Sequence, residues 1–107
     1  MAAGIGSGCA TSNSSCGNIT ISGGTVAATG GEAAAGIGTG VAYLDNSTCG
    51  NITITNSVTK VTATKGDNSP NSIGTGYASD GTTTCGTITI GGTETGNITD
   101  SPYTYEP

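Results

Sequence analysis

The sequence predicts an all-β protein, a parallel β-helix (β-solenoid) of about three coils, and three observations predict it. First, the phrase Cys16-Gly-Asn-Ile-Thr-Ile21 returns as Cys49-Gly-Asn-Ile-Thr-Ile54 and as Cys85-Gly-Thr-Ile-Thr-Ile90. Second, Gly4-Ile-Gly-Ser-Gly8 keeps step with it, returning as Gly36-Ile-Gly-Thr-Gly40 and Ser72-Ile-Gly-Thr-Gly76. The cysteines recur at 33 and 36 residues, a period that marks stacked repeats. Third, 20 glycines and many β-branched residues in 107 oppose helix. The apolar share is only 33 %, with no Phe or Trp, so the core is expected to be thin and built by stacking.

One domain spans 1–107, with repeats at 4–35, 36–71 and 72–100 and a cap or tail at 101–107. Each repeat opens on the Gly-Ile-Gly segment, whose Ile5, Ile37 and Ile73 form one inner column. The Ile-Thr-Ile segment follows. Its period-2 alternation turns Ile19, Ile52, Ile88, Ile21, Ile54 and Ile90 inward and Thr20, Thr53 and Thr89 outward. Thr25–Thr29 and Lys60–Thr64 make a third segment, with Val26 and Val61 inside. Gly- and Asp-rich turns separate the segments, and the length differences between repeats one and two fall in those turns. Equivalent residues are expected to stack about 4.8 Å apart. A meandering antiparallel sandwich is the alternative, but it gives no reason for whole phrases to recur. At the C-terminus Pro102, Tyr103 and Tyr105 are expected to cover the last coil, while the N-terminal edge looks bare.

Spelled out, Gly-Ile-Gly-x-Gly … Cys-Gly-x-Ile-Thr-Ile-x-x-Gly-x-Val-x-Ala-Thr resembles repeat segments of bacterial secreted and cell-surface proteins. It is also similar to right-handed parallel β-helix carbohydrate-binding domains that recognise acidic polysaccharide with calcium. The resemblance implies β-helical stacking, an extracellular or cell-surface setting and polysaccharide as a partner. Those domains are rich in Gly-Asp pairs, whereas Asp is sparse here.

The net charge is −5, and Lys60 and Lys65 are the only basic residues, so no nucleic-acid footprint exists. Anionic membrane surfaces are unfavoured for the same reason, and no apolar run is long enough to span a bilayer. No signal peptide is legible, so the chain is expected to be a mature piece or fragment. With no His, the common acid–base and nucleophilic systems and most zinc sites are excluded. The acids Glu32, Asp45, Asp67, Asp80, Glu94, Asp100 and Glu106 are isolated, giving no pair for glycoside hydrolysis. The expectation is a non-enzyme without cofactor. Glu32 and Asp67 align in one turn column, where stacked carboxylates and turn carbonyls would suit calcium.

Four cysteines in a small, low-charge chain point to an oxidising compartment. Cys16, Cys49 and Cys85 share one column at a spacing that a disulfide can bridge. One pairing joins Cys9 to Cys16 and Cys49 to Cys85. The rival joins Cys16 to Cys49 and leaves Cys85 for another molecule. Asn13, Asn18, Asn46, Asn51 and Asn97 each begin an Asn-x-Ser/Thr glycosylation sequon. Asn18 and Asn51 also hold one place before Ile-Thr-Ile, where inward amides would stack as a ladder. The expected role is a structural surface fibre or stalk unit that self-associates end to end. The alternative is carbohydrate binding on a β-face, with Tyr43 and Tyr77 as stacking platforms.

Overall fold

The computed structural model describes residues 1–9 and 13–107. Among these residues every regular element is a strand, and no helix is long and apolar enough to cross a membrane. Repeat one carries β1 (Ile5–Gly6), β2 (Ser14–Ser15), β3 (Ile19–Ile21) and β4 (Thr25–Thr29). Repeat two carries β5 (Ile37–Gly38), β6 (Asn46–Thr48), β7 (Ile52–Ile54) and β8 (Lys60–Thr64). Repeat three carries β9 (Ile73–Gly74), β10 (Thr82–Thr84) and β11 (Ile88–Ile90), followed by β12 (Thr93–Glu94) and β13 (Tyr103–Tyr105).

Repeats pair with one another in parallel, equivalent residue on equivalent residue. Ile5 meets Ile37, which meets Ile73. Ile19 meets Ile52 and then Ile88, and Ile21 meets Ile54 and then Ile90. Val26 meets Val61. The sheets run β1-β5-β9, β2-β6-β10, β3-β7-β11-β12 and β4-β8-β13. An antiparallel meander is thereby excluded for repeats one and two, because among the described residues no two strands of either repeat pair with each other.

Apolar burial follows position in the stack. Ile37, Ile52, Ile54, Val61, Ile73, Ile88 and Ile90 are buried, whereas Ile5, Ile19 and Val26 are only partly so. Repeat two has a neighbour on both sides and repeat one on a single side. Each isoleucine enclosed in this way contributes about 2–3 kcal/mol of burial. The β1-β5-β9 sheet is closed by glycine lying on glycine. Gly38 has φ +138°, and a Cβ there would collide with the Gly74 carbonyl oxygen. Only glycine meets both demands.

The structure departs from the expectation of three strands per repeat. A further strand, β2, β6 or β10, precedes each cysteine. Its inward residues are small and polar, so hydrophobic alternation does not mark it. Ser47 is buried with its Oγ 2.8 Å from Ser7 Oγ, and it donates to the Gly8 carbonyl at 3.1 Å. Among the described residues no buried side-chain polar atom lacks a partner, so this face is hydrogen-bonded rather than apolar.

The second departure lies in the third repeat, which has no counterpart of β4 and β8. The chain reverses instead. β12 pairs antiparallel with β11, Ile98 bridges Ile73 antiparallel, and β13 pairs antiparallel with β8. The chain from Thr93 onward therefore covers three of the four C-terminal sheet edges, and Tyr103 and Tyr105 pack on the core. Against the expectation that these tyrosines cover the last coil, β13 lies on β8 of repeat two, because repeat three supplies no strand there. At the other end Ala2 O accepts Gly31 N–H at 2.9 Å and Met1 O accepts Val41 N–H at 3.3 Å, so residues 1–3 also belong to the stack.

Candidate functional site

Tyr43 and Tyr77 lie on loops that leave the Gly-Ile-Gly segments of repeats two and three. A parallel bridge between Ala42 and Ala78 holds these loops together. Ala42 N–H donates to Tyr77 O at 3.0 Å, and Asp80 N–H donates to Tyr43 O at 2.9 Å. The turn of Glu32 and Ala33 approaches from the other side, with Tyr77 N–H donating to Ala33 O at 2.9 Å. Ala33 and Asn68 both have positive φ, 62° and 68°, which turns the backbone sharply at equivalent places.

Together Glu32, Ala33, Tyr43, Asn68 and Tyr77 line an open depression of about 360 Å³. Tyr77 is 44 % exposed, and Leu44 beside Tyr43 is 68 % exposed. Tyr43 is half-buried, and its hydroxyl donates to Met1 Sδ at 3.1 Å. The site thus offers two phenol faces, one carboxylate and one carboxamide around a shallow opening. Such a mixture suits stacking and hydrogen bonding to a polar ring. Glu32 and Asn68 are members that the sequence did not assign to the tyrosines, because turn polarity alone marks them.

Glu32 and Asp67 are both exposed, and Ala33 N–H donates to Asp67 O at 2.6 Å, so the two turns are stacked as their alignment implies. Among the described residues no group of three or more His, Cys, Asp or Glu side chains is placed to hold a metal ion.

Cys16, Cys49 and Cys85 do form one column, and all four cysteines are free thiols. Cys49 Sγ donates to Cys85 Sγ at 2.8 Å. That hydrogen bond, and then burial, hold the Cys49 thiol far above its ordinary range, while accepting it lowers Cys85. Burial first, and then the neighbouring Cys49, raise Cys16. Cys16 therefore neighbours Cys49, while Cys9 is exposed and outside the core cluster. The column brings together the Cys49–Cys85 pair common to the first pairing, and the Cys16–Cys49 pair of its rival.

All five sequon asparagines, Asn13, Asn18, Asn46, Asn51 and Asn97, are exposed. The expected inward amide ladder is corrected. Asn18 and Asn51 face outward, and each side-chain oxygen reaches along the stack to the next repeat's backbone. Inward placement fails because the two isoleucines that follow already fill the interior, and the extended backbone turns the preceding residue out.

No family model, curated protein or solved structure matches this chain.

Proposed function

We propose that the chain is a non-enzymatic structural module, a three-coil β-solenoid acting as a stiff element of an extracellular or cell-surface fibre or stalk. The observation that supports this reading is the parallel register of equivalent residues, on four faces between repeats one and two and on three between repeats two and three. Each repeat there buries its apolar residues only by lying on its neighbour, as solenoids do. The tail's antiparallel strands favour a rod with one closed end. Head-to-tail filaments of identical copies would require the tail to leave three sheets. Cryo electron microscopy across a concentration series, with and without reductant, tests the reading. Short discrete rods are expected. Rounded particles lacking a stacked-strand repeat along one axis would sink it.

A second reading, carbohydrate binding, is favoured by one observation: Tyr43 and Tyr77 share a depression with Glu32 and Asn68. A glycan array scored with the parent, Tyr43→Ala and Tyr77→Ala tests it. Binding that survives both substitutions would move the site elsewhere, and no binding would remove the reading.

A further inference from the structure

Gly17, Gly50 and Gly86 follow the three column cysteines, and each passes a hydrogen bond to the next: Gly50 N–H to Gly17 O at 3.1 Å, Gly86 N–H to Gly50 O at 3.0 Å. A Cβ at Gly50 would collide with Asn18 Oδ1, and one at Gly86 with Asn51 Oδ1. These oxygens pass over the glycines to accept Asn51 N–H at 2.9 Å and Thr87 N–H at 2.8 Å. Each repeat thus presents a glycine notch and a backbone N–H to the asparagine of the repeat before it.

Repeat one has the same notch and the same N–H, with no described residue placed in them. A Cβ at Gly17 would meet no atom within 4 Å, and Asn18 N–H has no protein acceptor among the described residues. Around this notch the outer edges of β1, β2, β3 and β4 carry no partner strand among the described residues. Ile5, Ile19 and Val26 beneath them are only partly covered. The C-terminal face is different. Thr87 stands where an asparagine would be, and the tail pairs with β11, Ile73 and β8. The ladder has a receiving end and no giving end.

We infer that the N-terminal edge is a docking surface for one further parallel coil that carries an asparagine immediately before its Ile-Thr-Ile strand. This rests on the solenoid reading above and adds its polarity. The C-terminal face of a second copy does not fit, because it offers Thr87 and a covered edge. The incoming coil supplies an Asn oxygen to Asn18 N–H, lays it over Gly17, and buries Ile5, Ile19 and Val26.

The test is a four-repeat chain in which a second copy of residues 4–35 is inserted ahead of residue 4. Amide exchange is followed at Gly17 and Asn18 of the inner copy. The Asn18 amide is expected to slow about tenfold, the factor that one net hydrogen bond supplies. Gly17→Ala in the inner copy should lower the Tm of the four-repeat chain while leaving the 107-residue chain unchanged. Asn18→Ala in the outer copy should restore fast exchange without unfolding it. If the added repeat pairs in parallel but Gly17→Ala is harmless and the amide stays fast, this inference fails and the solenoid reading stands. If the added repeat stays unfolded on an intact 107-residue core, both fail. If the 107-residue chain dimerises through this edge in sedimentation and the added repeat abolishes the dimer without engaging Gly17, a second copy is the occupant and the inference is overturned.

Discussion

Asn18 and Asn51 are joined across two repeats: the Asn18 side-chain oxygen accepts the Asn51 backbone N–H at 2.9 Å. One repeat further, Asn51 does the same for Thr87 at 2.8 Å. A side chain here extends the backbone ladder past the end of the strand. Asn51→Ala should therefore cost about 1–2 kcal/mol, the loss of one hydrogen bond with its N–H left unpaired. Asn46→Ala, whose side chain has no partner among the described residues, should cost less than about 0.5 kcal/mol. Urea midpoints of the two variants check the difference.

Glycine matters by position, not by abundance. Gly38→Ala should destabilise by more than about 3 kcal/mol, combining a positive φ with a collision against the backbone of Gly74. Gly23→Ala, with nothing within 4 Å of the new Cβ, should be neutral or slightly stabilising. Equal effects in thermal unfolding would contradict the close-approach account.

Stability should peak in mildly alkaline solution when the thiols are kept reduced. The ordinary thiol value is 9.0. Below it, folded Cys85 gives up its proton earlier than the unfolded chain does, so stability rises with pH. Above it, the unfolded chain sheds every thiol proton while folded Cys49 and Cys16 keep theirs, so stability falls. Tyr103, raised by burial and then by Tyr105, adds to the fall above 10.0. Urea midpoints from about pH 7 to 11 should show this maximum, and Cys49→Ala should flatten it. A monotonic fall from neutrality would contradict the assignment.

Mild oxidation should join Cys49 to Cys85, the two sulfurs already in contact. Closing that loop stabilises by about 4 kcal/mol on the chain-entropy account. Peptide mapping checks the pairing and calorimetry the gain. A Cys16–Cys49 peptide as the main product would select the rival pairing of the column, and a Cys9–Cys16 peptide would show that Cys9 reaches the column on oxidation.

Deleting residues 93–107 should uncover the β11, β9 and β8 edges that the C-terminal return now covers. Exposed parallel edges template association. Light scattering and electron microscopy should find the full chain discrete and the shortened chain in open assemblies. A shortened chain that stays monomeric would remove end-to-end stacking from consideration.

Much of the fold was legible because Ile19, Ile52 and Ile88 are one residue type at one period. Strand β6 was not, because Ser47 faces inward with a hydroxyl that hydrogen bonds make acceptable. Part of the candidate site was legible too, since loop tyrosines stand out in a chain with four. Their grouping with Glu32 and Asn68 was not. Tyr43 and Tyr77 hold non-equivalent places, because Ala42 pairs with Ala78, and only the loop path brings them to one depression.

The sequence by itself determined which residues stack on which, since repetition is a translation and parallel pairing is the only ladder that a translation makes. Only the tertiary structure decided how the stack ends. An antiparallel return by Thr93–Glu94, Ile98 and Tyr103–Tyr105 follows no period. It is selected because open backbone edges on β11, β9 and β8 must find hydrogen-bond partners, and the nearest available chain is the tail.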